Sequence, residues 1–424
     1  MRRDEFNSKN LLNNSSKEGH IIDDVPYVGQ INSVFCSYAC QTMIIKYYDR
    51  NINLEDFIFN SGIGFSLGYS KDYFDYIPTC GTFLSQWPLD RKFAADLYGF
   101  EFETFLPDNL SFSTYEIWNT YWKKIKKYVT NDIPVSTAVD LVSLPAFREL
   151  MDCNLWINIK KVPNFAWNLI STAHEIVIVG FDEEKKLVYY NDPVSQNLGN
   201  LKNGIYASTP IETFAKSVAN AKVGNFFPNF IINAYIEKKP SLSDEIIFRK
   251  SYDRNIQKIR GNPLYYDEKW RKYPLGINAL NALNKDFEII FKKKNKDLLG
   301  IYRSDSFKRI FMKKFASFCI KKSSSRYLID SLMSIYDIIS IEKEWAYNYL
   351  KYRSDSIESL NKILFLLDKE KEKWKDISSF YSGFYKELML LTKNKKVEEI
   401  NENLISNILD IIDIEIKIVE VEIN

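Results

Sequence analysis

The spacing of apolar residues changes character part-way along the chain, from mixed helix and strand periods before residue 240 to helix periods alone after it. Within residues 36–48, Tyr38, Ala39, Met43, Ile44 and Tyr47 recur at helical spacing, which predicts a helix with Cys36 at or near its start and Ser33 capping it or shaping the preceding loop. Residues 53–59 predict a second short helix, followed by a glycine-rich apolar loop over 61–69. Helical or mixed segments are expected around 82–98 and 114–129. Residues 133–140 read as a strand opening a β-rich stretch. The runs 174–182 and 186–190 flank the charged residues Glu183, Glu184 and Lys185, so an antiparallel hairpin is predicted, and it would bring His174 and Asp192 to the same end. A further strand is expected within 226–236.

Beyond the polar stretch near 240, apolar residues recur at helical period: Leu280, Leu283, Phe287 and Phe291; Ile357, Leu360, Leu364 and Leu367; Trp374, Ile377, Tyr381, Phe384 and Leu388; Ile400, Leu404, Ile408 and Ile411. The expected organisation is a loosely held polar arm over residues 1–20, a catalytic domain over 21–238 and an all-α helical domain over 239–424. The fold class is α+β, with an N-terminal helix packed on an antiparallel sheet.

Composition narrows the function classes. At 424 residues with 46% hydrophobic, 15% aromatic and 26% charged content, the chain reads as a globular protein long enough for two domains. A formal charge of +2, from 57 basic and 55 acidic residues, gives no overall field favouring nucleic acid or an anionic membrane. No apolar run approaches the roughly 18 to 20 residues needed to span a bilayer, and the polar start lacks a signal segment, so a cytoplasmic protein is expected. Five scattered cysteines, Cys36, Cys40, Cys80, Cys153 and Cys319, argue against a disulfide scaffold or a zinc site. No metal or cofactor is expected.

The chemistry concentrates in four residues. Gln30 lies six positions before Cys36; His174, one of only two histidines, opens a strand-like run; and Asp192 follows the next run. A thiol at a helix N-terminus beside an imidazole meets the need of acyl transfer for a deprotonated nucleophile. His174 would take the thiol proton, and Asp192 or Asn191 would hold its tautomer from the far nitrogen. The Gln30 amide and the Cys36 N–H would stabilise the oxyanion. His174 lies 138 residues after Cys36, within the roughly 130 to 150 of papain-like enzymes.

Against this stands the plain alternative that a cysteine in an apolar helix and a histidine in a strand are structural. Cys40, one turn deeper, reads as core; Cys80, Cys153 and Cys319 have no nearby base; His20 sits in the polar arm and reads as exposed. Four further residues are candidates for substrate contact: Glu175, on the opposite side of the strand from His174; Asp140, at a strand end, where an acid would hold a cationic amine; and Phe65 and Tyr69 of the glycine-rich loop, packed near a substrate channel. For Asp140 a turn role and for Glu175 a surface role weigh equally.

The first half resembles the N-terminal domain of the butirosin-type acyltransferases, a papain-like group related to bacteriocin-processing cysteine peptidases. The resemblance rests on the Cys36 helix, Asn53-Leu54-Glu55 with Gly62-Ile63-Gly64-Phe65, Pro134-Val135 through Asp140 and Leu144-Pro145, and His174 through Gly180-Phe181-Asp182 with Asp192, over roughly residues 24 to 236. It implies a papain-like fold and transfer of an acyl group from the phosphopantetheine thioester of an acyl carrier protein, through Cys36, to a small amine or diamine in antibiotic biosynthesis. An amide-forming enzyme of the closthioamide type looks like one suitable member. One departure is Ser37, where peptidase relatives commonly have glycine, which bears on access for a peptide backbone. The same residues would serve a peptidase or thioesterase with water as acceptor, and a non-catalytic binding protein on this fold is the third reading.

Overall fold

The computed structural model describes residues 19–30, 35–48, 50–69, 78–80, 89–106, 114–140, 144, 173–196, 204–221, 230–266, 268, 271–292, 335–353, 359–390 and 397–421. In chain order its elements are β1 (Gly19–Ile21), α1 (Cys36–Tyr47), α2 (Leu54–Asn60), β2 (Leu67–Tyr69), β3 (Pro78–Cys80), α3 (Leu89–Leu97), β4 (Phe100–Phe105), α4 (Thr114–Val129), β5 (Val135–Asp140), β6 (Ala173–Asp182), β7 (Leu187–Asn191), a 3-10 turn (Pro193–Gln196), β8 (Ala207–Pro210), α5 (Ile211–Asn220) and β9 (Ile232–Glu237). There follow α6 (Asp244–Ile259), a 3-10 turn (Pro263–Tyr265), α7 (Ile277–Lys292), α8 (Ile335–Lys351), α9 (Ser359–Leu390) and α10 (Val397–Val419). The protein is α+β, and its chain divides into two compact units, Met1–Leu54 with Ala95–Ser241 and Glu55–Ala94 with Leu242–Asn424.

The first unit is built on a seven-stranded antiparallel sheet in the order β4-β9-β5-β6-β7-β8, with β1 paired to β6. All six residues of β5 are buried, as a strand covered on both faces must be. Neighbouring residues show which helices cover it: Ser136 meets Gln41 of α1, while Thr137, pointing the opposite way, meets Tyr121 of α4. Strand β6 pairs with β5 through its first half and with β1 through its second, and with β7 on the other edge, where a register shift falls between Ile178 and Gly180. Gly180 is required there, since a Cβ would stand 2.9 Å from the His20 carbonyl oxygen of β1. Gly99 turns the chain into β4 with φ +86, and its carbonyl accepts from the Lys238 and Lys239 N–H groups beside β9.

Two expectations are corrected in this unit. Residues 19–21 of the supposed arm form a sheet strand, and His20, far from loose, bonds Asp132 at 2.7 Å through Nε2. Strand β4 precedes the stretch where strands were expected to begin, because its FEFETF pattern pairs residue for residue with β9. The N-cap of α1 is Phe35, which has no side-chain cap bond; Ser33 lies outside the described residues.

The second unit packs its helices around Phe59, Phe65, Phe248, Tyr349, Leu360, Ile363 and Leu367, together with Ile414 and Ile418 of α10. Buried residues of α9, Leu360, Ile363, Leu367, Trp374 and Ile377, recur at helical period. Lys343 is buried between Glu370 (2.8 Å) and Glu415 (2.6 Å), and the Trp374 indole donates to Glu370. Burial, partly offset by Lys343, pushes the Glu415 carboxyl up to about 8.

The described elements after residue 239 are all helical; the antiparallel pair β2 and β3 joins them in this unit, with β2 bonded to the chain before α7 through Tyr69 N–H to the Pro274 carbonyl and Gly276 N–H to that of Leu67. Residues 55–94, expected in the catalytic domain, cluster here instead. Long-range contacts explain it: Phe59 stacks on Tyr349 at 4.1 Å, and Asp90 is buried against Arg254 and Lys258.

Candidate active site

The site is assembled where the N-terminus of α1 meets the adjoining ends of β6 and β7. Helix α1 packs on β6 and on the 3-10 turn after β7. Cys36 is its first residue and is partly exposed, while Tyr38 through Ile45 are buried. This leaves the thiol at the helix end, where unpaired N–H groups favour negative charge.

His174 is the second residue of β6, and Asp192 directly follows β7. The hairpin pairing, Val177 opposite Asn191, brings them together. His174 Nε2 lies 2.7 Å from Asp192 Oδ1, with side chains 3% and 0% exposed. The same Oδ1 accepts the Val194 N–H at 3.0 Å, a local turn bond that fixes the carboxylate. With Nε2 occupied, Nδ1 is the ring nitrogen left for sulfur, and the Cys36 side chain hydrogen-bonds the ring.

Burial alone would lower the His174 pKa. The charge of Asp192, then Cys36, and hydrogen bonds to both outweigh it, so that the imidazole is pushed up to about 10 from an ordinary 6.5. An imidazolium stabilised beside a sulfur is the cationic, proton-donating half of a thiolate-imidazolium pair. Such a pair can attack a carbonyl and return a proton to the leaving group.

Gln30 is fixed by its backbone, whose N–H donates to the Pro193 carbonyl at 3.0 Å. Its side chain is 1% exposed, and both amide atoms lack a hydrogen-bond partner among the described residues. A buried amide without a partner is costly unless something else occupies its donors. An acyl oxygen at the site would do so.

The segment carrying Gln30 is held by residues that sequence reasoning did not assign to this task. Tyr27 donates to the Asp192 carbonyl, Tyr206 donates to the Ile22 carbonyl and accepts the Val25 N–H, and Asn191 donates to the Val25 carbonyl while accepting the Tyr206 N–H. Asn191, an alternative orienter of His174, is therefore an anchor of this strap. Only its place beside Asp192 signalled any role.

The candidate substrate contacts separate. Asp140 ends β5, buried, opposite Ala173, on the face of the strand pair that carries Glu175 and not on that of His174. Glu175 is corrected: it is buried and bonded to Gln41, Ser136 and Asn233, not turned to solvent. Phe65 and Tyr69 are also corrected. Both are buried in the second unit, Phe65 under Lys343 with its ring 4.4 Å from Nζ, and Tyr69 bonded to Asp286 at 2.8 Å, so their side chains serve that unit's packing. Cys40 is buried and donates to the Glu175 carbonyl. Cys153 and Cys319 lie outside the described residues.

Residues 22–221 match the family model described as Peptidase_C39 like family. The match covers a little under half of the chain and includes Gln30, Cys36, His174 and Asp192. It supports a papain-like, cysteine-protease type of protein and does not distinguish butirosin-type acyltransferases within it. No curated protein matches the chain. A crystal structure of a candidate C39-like peptidase from Bacillus anthracis is similar at 14% identity, covering 53% of this chain and 100% of that one, with a TM-score of 0.30. A likeness that distant bears no weight in assigning chemistry. No helix among the described residues is long and apolar enough to cross a membrane, and none of their His, Cys, Asp and Glu side chains gather in threes able to hold a metal.

Proposed function

We propose that this protein is a cysteine-dependent acyltransferase that forms an amide through an acyl-Cys36 intermediate. The observation that supports it is the chain of contacts from Cys36 to His174 to Asp192, with Gln30 held by its backbone on the turn that follows Asp192. The Cys36 thiolate attacks the carbonyl carbon of a thioester on the phosphopantetheine of an acyl carrier protein, and the oxyanion is held by Gln30 and the Cys36 N–H. Collapse expels the carrier thiolate, which takes the proton from His174. A small amine or diamine then attacks the acyl-Cys36 carbonyl, gives its proton to His174, and releases Cys36 with the amide formed.

Incubation with an acyl-pantetheine thioester and intact-protein mass spectrometry should show an acyl adduct that Cys36→Ala lacks and that a diamine discharges as an amide. Full amine acylation by Cys36→Ala would end this reading.

Hydrolysis of a peptide or thioester by the same residues is the second reading, favoured by the family match. It requires free acid as product at every amine concentration. Amide yield rising with amine at the expense of acid supports transfer.

A further inference from the structure

We infer that Glu175, gripped by Gln41, is a positioning residue that holds the nucleophile helix in register with the strand bearing the base. The inference rests on the acyl-cysteine reading. Glu175 follows His174 in β6 and turns toward α1, where its Oε1 accepts from Gln41 Nε2 at 2.7 Å. The same oxygen accepts from Ser136 of β5 and from Asn233 of β9 at 3.3 Å, so one carboxylate joins three strands to the helix. Its backbone carbonyl accepts the Cys40 thiol at 3.1 Å, a second bond to α1 from the same residue.

Cys36 and Cys40 are four positions apart, on one face of the helix, and the distance between them along the axis is about 6 Å. Sliding α1 by a single residue would move Sγ about 1.5 Å, enough to lose its hydrogen bond to the imidazole. Cys40 and Gln41 lie about 100° apart around the axis, so bonds from both to Glu175 resist sliding and rotation together. Ion pairing at Cys36 depends on that register, and Glu175 acts on it through Cys40 and Gln41 of the helix.

The test is the pH profile of Cys36 alkylation by iodoacetamide, read site by site by peptide mass spectrometry, with thermal melting measured on each protein. Gln41→Met removes the donor at nearly equal volume, Glu175→Ala removes the acceptor, and Glu175→Gln keeps an acceptor for the same donors. Expected is a fall of about tenfold in the Cys36 rate at pH 7 for Gln41→Met and Glu175→Ala, from a misplacement of an ångström or less, and recovery to within about twofold of the parent in Glu175→Gln. If Glu175→Ala does not fold, the contrast between Gln41→Met and Glu175→Gln decides. A lower melting temperature in Gln41→Met with an unmoved profile overturns the positioning role alone. A parent profile that His174→Ala leaves unchanged overturns the acyl-cysteine reading as well.

Discussion

Replacing Asp192 by Asn isolates the charge that holds His174 protonated. Asparagine has almost the same shape and can still accept from the ring and from the Val194 N–H, but it carries no negative charge. The span from 6.5 to about 10, at about 1.4 kcal/mol per pH unit, amounts to about 5 kcal/mol in favour of the imidazolium. Burial opposes that preference and Asp192 is its largest source, so without the carboxylate the imidazole should titrate well below the parent value. At pH 7.5 the parent imidazole would be more than about 99% protonated, and the variant should fall measurably below that. Because His174 and His20 are the only histidines, NMR titration resolves them, with His20→Gln assigning the pair. Stability follows the same shift: His174, its pKa raised on folding, contributes fully below pH 6.5, and its contribution is lost as pH rises through about 10. The stability advantage of the parent over Asp192→Asn should therefore shrink across that window, by up to about 1.4 kcal/mol per pH unit. A parent His174 titrating at 6.5, or a variant His174 unmoved from the parent value, would refute the reasoning.

Two further substitutions test separate parts of the molecule. Gln30→Ala should cut kcat for acyl transfer by on the order of 10² to 10³ while leaving Cys36 alkylation unchanged, because alkylation builds no oxyanion; equal losses in both assays would contradict the assigned role. In the second unit, Lys343→Met strips the cation from two buried glutamates and should cost about 3 to 5 kcal/mol in urea unfolding at pH 7. Glu415→Gln should cost about 1 kcal/mol or less there, since a carboxyl pushed up to about 8 already keeps its proton at neutral pH, and equal losses from the two would show that reading of the cluster to be wrong.

What the chain discloses directly is whatever depends on local period. The α1 helix, the β6-β7 hairpin and the buried stripe of α9 all follow from spacing, and the hairpin alone dictates that His174 and Asp192 share an end. What it conceals is partnership between distant segments. Phe65 and Tyr69 sit in a loop whose glycines read as room for a substrate, yet Lys343 and Asp286, more than 200 residues later, claim those rings. Glu175 shows the same limit at one position: alternation correctly turns it away from His174, but period two says nothing about whether a helix or water covers that face. Here the cover is α1, the helix that begins at Cys36. Substituting the carboxylate should consequently act on the site through the helix, which separates it from Asp192, whose loss acts on the imidazole directly.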